Sequence, residues 1–280
     1  MRSYRTFAPL ADAGTAVLED GHLWLQEFVP GPVLGVSMDD SGLLTFGVGG
    51  EEFATPPPSL ARAVAHVRRR FDRDRLRDGV DDVTDFVFFG IAARNEGRAY
   101  EWADVAPFLG IDIWSETEGR YAAPDVSERV FSTIGLDPLP AFRKEVPTDH
   151  FDPDGYVVPS SHWDDRPAAG VVVRNKAGPI AIHGYDSPTR DPVDDDDLES
   201  CVKGLVSPNL DRVLTELGAD PRTVDVDVLA ERLFAVVARV GYHRLAPQLE
   251  RNPDRVRDAV GSAVRSLVRT RVTDGESSHG

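Results

Sequence analysis

Short apolar runs broken by turn residues dominate the first two hundred positions of this chain. Residues 22–28 (His-Leu-Trp-Leu-Gln-Glu-Phe) partly alternate and predict a strand, and Val29-Pro30-Gly31-Pro32 predicts a turn. Val33 to Val48 reads as a hairpin folded about Asp39-Asp40-Ser41-Gly42. Leu60, Val64, Val67 and Phe71 recur at helical spacing behind Pro56-Pro57-Pro58, with Ser59 placed to cap. Thr84–Ala93 and Pro107–Trp114 read as buried strands, and 125–135 as a short helix capped by Asp125 and stopped by Gly135. Pro167-Ala168-Ala169-Gly170 leads into Val171-Val172-Val173, which breaks at Arg174-Asn175; such a bounded run reads as a core strand. Ile180–Ile182 suggests another strand, and 186–199 an exposed loop.

From Ser207 the period changes. Ser207-Pro208 predicts a helix start, with Leu210, Val213, Leu214 and Leu217 behind it and Gly218 as the stop. A second helix is expected over about 225–243. A third is expected from Asn252-Pro253, carrying Val256, Val260, Val264, Leu267 and Val268 on one face. The tail from Thr273 is expected to be disordered.

Composition narrows the class. The chain has 280 residues and 41% hydrophobic content, enough for a large domain and a small one. No stretch approaches the ~20 apolar residues of a membrane span, and no apolar run follows Met1–Arg5 as a signal peptide would require. A cytoplasmic protein with no membrane partner is the expectation. The single Cys201 excludes an internal disulfide and a multi-cysteine metal site. The net charge is −16, from 47 acidic and 31 basic residues, and the only lysines are Lys144, Lys176 and Lys203. This balance reads as halophilic adaptation and argues against nucleic-acid binding through bulk charge; RNA would need a local groove.

Isolated clusters add little. Arg68-Arg69-Arg70 is interleaved downstream with Asp72 and Asp74 and reads as a solvated face; Asp194–Asp197 reads as a solvated run. His150, His162 and His183 match no metal spacing. Asp152-Pro153-Asp154-Gly155 lacks the downstream glutamate of a calcium loop and reads as a turn. No phosphate loop of the G-x-x-x-x-G-K-[ST] type occurs.

Taken together, several of these segments resemble, in the same order, the motifs of ATP-dependent RNA ligases, members of the covalent nucleotidyltransferase superfamily. Trp24–Gly31 resembles the E-K-x-D-G nucleophile motif: Glu27 and Gly31 match, while Phe28 stands at the lysine position and Pro30 at the aspartate. Phe46-Gly47-Val48-Gly49-Gly50 is similar to F-G-S-R without its arginine. Phe88-Phe89-Gly90-Ile91 is similar to F-G-E, with Ile91 replacing glutamate. Pro107–Ile113, including Asp112, resembles the P-F-I-G-F-D-V strand nearly intact. Val158–Ser161 with Gly170–Asn175 resembles VPES…EGVVVRN, and Ala169 occupies its glutamate. Val202–Pro208, with Lys203, corresponds to the last, lysine-bearing motif.

The resemblance implies an α+β fold. A ligase-type nucleotidyltransferase domain with antiparallel sheets would span 1–206, a small helical domain 207–273, and a disordered tail 274–280. It implies that positions 28, 91 and 169 surround one phosphate and metal site. In the family a lysine amine attacks the α-phosphate of ATP, carboxylates hold divalent metal, and the bound AMP passes to RNA. Phe28 cannot form the phosphoramidate, and Ile91 and Ala169 cannot ligate Mg²⁺. The implied function is therefore a degenerate ligase that binds RNA, nucleotide or protein, with Glu27, Gly31, Asp112, Arg174 and Lys203 as binding candidates and no metal ligand. ATP and Mg²⁺ enter only if the pocket still works. Two alternatives stand beside it: an active ligase using a relocated lysine, and an assembly protein. The second helix is apolar around much of its circumference, which suggests a homodimer or docking onto an active ligase paralogue.

Overall fold

The computed structural model describes residues 1–12, 15–98, 100–186 and 191–277. It is an α+β protein built from two mostly antiparallel sheets and a group of helices. The strands are β1 (Ala8–Pro9), β2 (His22–Glu27), β3 (Val33–Met38), β4 (Leu44–Val48), β5 (Glu51–Phe53), β6 (Phe86–Ala92), β7 (Phe108–Ser115), β8 (Arg120–Tyr121), β9 (Ala141–Pro147), β10 (Val171–Asn175) and β11 (Ile180–His183). The helices are α1 (Pro58–Arg70), α2 (Arg73–Gly79), α3 (Pro124–Thr133), α4 (Leu198–Leu217), α5 (Val226–Val240), α6 (Tyr242–Arg251) and α7 (Pro253–Ser277).

Two compact units emerge from the packing. The first comprises 1–55, 63–94 and 98–188; the second comprises 56–62, 95–97 and 189–280. In the first unit the strand orders are β1-β11-β10-β2-β9 and β5-β4-β3-β6-β7-β8.

The period of two assigns the faces of the five-stranded sheet. Leu23, Leu25, Val171 and Val173 share one apolar cluster with Val17, Val146 and Phe151. Arg174, next in line on β10, points the other way and reaches β7 of the second sheet. The six-stranded sheet packs aromatic rings on one face: Phe71 on Phe88, and Phe131 of α3 on Phe88 and Phe108. Gly110 is needed there, because a Cβ would stand 2.4 Å from the Phe131 ring.

In the second unit α4, α5, α6 and α7 pack on one another. α5 is covered within the chain: Leu229, Leu233, Phe234, Val236 and Val237 are buried, and Val228 is the large apolar side chain it leaves exposed. Asp225 caps it by accepting from the Asp227 and Val228 N–H groups.

Several local expectations are corrected. Ser207-Pro208 is not a helix start but the interior of α4, so the expected domain boundary at 206 falls inside a continuous helix. Proline is tolerated there because the apolar face around it (Val202, Val206, Leu210) is buried and holds the helix together. α1 begins at Pro58, so Ser59 lies within its first turn. α3 starts with Pro124 behind Ala123, which offers no side-chain cap; Asp125 sits in the first turn instead. The helix expected over 225–243 ends at Val240, and α6 follows as a separate element. β9 was not anticipated, because its Arg143-Lys144-Glu145 stretch breaks alternation. Residues 274–277 continue α7, while the rest of the expected tail, 278–280, lies outside the described residues, as do 187–190 of the expected loop. No helix among the described residues is long and apolar enough to cross a membrane.

Candidate functional site

The segment Glu27–Pro32 links the two sheets and carries the first candidates. The β2–β10 ladder runs one residue past its end, where the Phe28 N–H donates to Gly170 O at 3.0 Å. Further on, Ala92 N–H donates to Pro32 O and Arg94 N–H to Pro30 O. Phe28 thus stands beside the Ala169-Gly170 end of β10, and Gly31 beside Ile91 and Ala92 of β6. Gly31 has φ 151°. A Cβ there would come 2.2 Å from Ala92 O and 3.1 Å from Ile91 Cγ2, which is why the position takes glycine.

Phe28, Ile91 and Ala169 therefore flank one short stretch, but as packing groups. All three are buried, and the Phe28 ring meets Tyr185 at 4.6 Å and Phe7 at 6.2 Å. Neither Ile91 nor Ala169 offers an oxygen, and among the described residues no group of three His, Cys, Asp or Glu side chains is placed to hold a metal. The residues present do not fit the family's divalent ion.

Two buried carboxylates lie in the same unit. Asp112 is fully buried between the sheets. Its Oδ1 accepts from Arg174 Nη2, and Arg174 Nη1 donates to Ile111 O at 2.7 Å. Its Oδ2 accepts from the Tyr4 hydroxyl and from Arg5 Nη2, each at 2.7 Å. Burial first, and the Asp112 charge second, push the Tyr4 phenol well above its ordinary pKa. Asp112 and Arg174 are thus brought together as a fully satisfied pair.

Glu27 is also fully buried, at the end of β2. Its Oε2 accepts from His162 twice, from the backbone N–H at 2.9 Å and from Nδ1–H at 2.8 Å. The imidazole stacks on Phe142 with centroids 4.9 Å apart and is partly exposed. Glu27 Oε1 is buried without a hydrogen-bond partner. Tyr100 borders the group: its hydroxyl accepts the Ala169 N–H at 2.7 Å. Burial and then the Glu27 charge raise the Tyr100 pKa well above a phenol's. Sequence reading sets His162 aside and passes over Tyr100, Tyr4 and Arg5, since none belongs to a local motif.

Lys203 belongs to the other unit. It lies on the exposed side of α4, so the segment compared with the last ligase motif is helical. The other lysines are ion-paired. Lys144 Nζ donates to both oxygens of Glu128 at 2.7 and 2.6 Å. Lys176 Nζ meets Glu145 at 3.0 Å and Asp125 at 3.5 Å, and the Glu145 hydrogen bond raises its pKa.

No family model matches the sequence, and no curated protein matches it. Solved structures do. An archaeal ATP-dependent RNA ligase, in the form described as form 2, is 15% identical over 98% of this chain and 66% of its own, with a TM-score of 0.47. Form 1 is 16% identical over 96% and 74%, at 0.49. A mutant Naegleria gruberi RNA ligase with ATP and Mn is 11% identical over 65% of this chain and 56% of its own, at 0.50. The chain thus spans just under two thirds of the first of these and about half of the last. The likeness to the Naegleria structure shows that this chain adopts a fold of the kind seen in that RNA ligase.

Proposed function

We propose that this protein is a ligase-fold binding protein that has given up nucleotidyl transfer and acts by holding RNA or a nucleotide. The observation that carries the reading is Phe28, an aromatic ring packed between Phe7 and Tyr185 at the position where the resemblance calls for an amine nucleophile. A nucleophilic lysine must be deprotonated and unencumbered. Lys144 is instead held by both oxygens of Glu128, and the Glu145 hydrogen bond raises the pKa of Lys176 and so favours its charged ammonium; both arrangements argue against a relocated nucleophile in the sheet unit. Ile91 and Ala169 point the same way, since phosphoryl chemistry needs charge neutralised where they offer only hydrocarbon.

The test is incubation with radiolabelled ATP and Mg²⁺ or Mn²⁺ in molar salt, followed by denaturing gel electrophoresis at neutral to alkaline pH, with RNA binding measured on the same preparation by fluorescence anisotropy. The expected result is no protein-bound label together with saturable RNA or nucleotide binding. An alkali-stable, acid-labile adduct on Lys144, Lys176 or Lys203 overturns the reading. Binding of neither RNA nor nucleotide moves the function to assembly through the helical unit.

A further inference from the structure

We propose that the arginines at the end of α1 and along α2 form a surface that grips the phosphate backbone of an RNA strand. The proposal rests on the RNA-binding reading above and gives that binding a place.

Residues 68–77 hold six arginines and two aspartates, a net of +4 that leaves −20 on the rest of the chain. The acidic composition resumes at Asp78. Arg68, Arg69 and Arg70 are exposed, as their sequence context suggests, but solvation does not neutralise them. Among the described residues no ion pair forms at Arg68, Arg69 or Arg73. The pairs that do form nearby are long: Arg70 to Asp137 at 4.0 Å, Arg75 to Asp72 at 3.3 Å and Arg77 to Asp74 at 3.4 Å. Exposed pairs of this kind are weak and are screened by salt.

The guanidinium groups are anchored mainly on neutral partners. Arg70 Nε donates to Gly135 O at 2.9 Å, and Arg75 Nη1 to Thr133 O at 3.4 Å. Arg73 Nε donates to Gly42 O at 2.9 Å, and Arg77 Nη2 to Asp40 O at 3.5 Å. Arg68 lies 5.2 Å from the centroid of the Phe46 ring. A Cβ on Gly42 would come 2.6 Å from Arg77 Nη2 and 3.4 Å from Arg73 Cδ, so both side chains lie over the same β3–β4 turn. A main-chain carbonyl fixes where a guanidinium sits without cancelling its charge.

Local helix energetics do not account for this charge. Cations at the end of α1 suit the helix dipole, but Arg73 and Arg75 stand in the first turn of α2, where the dipole disfavours them. Arg73 and Arg77 are a like-charged i,i+4 pair, which weakens a helix. They are separated by about 6 Å along the helix axis, close to the spacing of successive phosphates on one strand. Forked donors held at that interval match phosphate oxygens two at a time. The bulk charge of the chain repels RNA, so attachment needs a local surface of this kind.

The probe is a fluorescein-labelled single-stranded oligouridylate, followed by anisotropy over the potassium chloride range in which circular dichroism shows each chain folded. Arg68→Gln/Arg69→Gln/Arg73→Gln is compared with the unaltered chain, with Arg69→Gln, and with Arg265→Gln, which alters an exposed arginine of α7. The triple variant is expected to bind about ten-fold more weakly at the lowest salt used, with a slope of log affinity against log salt shallower by about 2, at roughly 0.7 per lost phosphate contact. Arg69→Gln is expected to show about a third of that change in slope, and Arg265→Gln none. Unchanged affinity and slope in the triple variant overturn the proposal. If that variant is unfolded, Arg69→Gln decides alone, and no change there overturns it. A loss in Arg265→Gln equal to that in Arg69→Gln overturns the surface in favour of bulk charge. Poly-L-glutamate is the competitor: if it displaces the RNA at equal charge concentration, the surface is a dock for acidic protein and the RNA assignment is overturned. An unaltered chain that binds no RNA ends both this proposal and the RNA-binding reading, whereas RNA binding that the variants leave intact ends this proposal alone.

Discussion

Asp112 and Glu27 are both fully buried carboxylates in the same unit, and they are treated differently. Asp112 has donors on both oxygens, drawn from β7's neighbours on two sides: Arg174 on one, Tyr4 and Arg5 on the other. Glu27 has both its donors on one oxygen and none on the other. A buried charge is costly unless it is paired and hydrogen-bonded throughout. The first group therefore reads as a brace between sheets. The second is held from one side, by the two donors of a single residue, with the Tyr100 hydroxyl beside it.

The largest effect should come from breaking the brace. Asp112→Ala leaves Arg174 buried without its counterion, and a loss of about 3–5 kcal/mol in urea unfolding is expected. A loss below about 1 kcal/mol would end the distinction between the two carboxylates. Next comes His162→Ala, which removes the imidazole donor from Glu27 but leaves the backbone donor in place. Its expected cost is about 1–3 kcal/mol. Adding Glu27→Gln should recover part of that loss, because it removes the buried charge; a double variant less stable than His162→Ala would contradict this.

Tyr4→Phe should cost about 1 kcal/mol at neutral pH, one hydrogen bond's worth. The raised Tyr4 pKa also fixes a sign. Its contribution is fully present below the unfolded phenol's pKa near 10 and is lost as pH rises toward the folded value, since the unfolded chain ionises first. Stability should therefore fall with pH above about 10, less steeply in Tyr4→Phe; parallel alkaline profiles would show that Tyr4 does not report on Asp112. The smallest effect belongs to the surface: Lys176→Met removes a partly exposed pair with Glu145, and thermal unfolding should register about 0.2–1 kcal/mol. A change matching Asp112→Ala would mean that burial is not what separates these groups.

The sequence by itself determined the regular elements with a strong period and the apolar character of the reactive positions. Val171-Val172-Val173 had to be a buried strand, the 33–48 segment had to fold back at Asp39–Gly42, and Phe28, Ile91 and Ala169 could supply neither amine nor oxygen, wherever they lay. These are local facts, set by side-chain chemistry and spacing two or four residues apart. Tertiary structure alone decided the rest. It ran α4 through Pro208, because burial of its apolar face outweighed the local signal for a helix start at Ser207-Pro208. It seated Glu27 against His162, 135 residues away, and Tyr4 against Asp112, 108 residues away. Pairings at that separation leave no periodic trace along the chain. They exist because buried carboxylates must be met by whichever donors the folded backbone brings within reach.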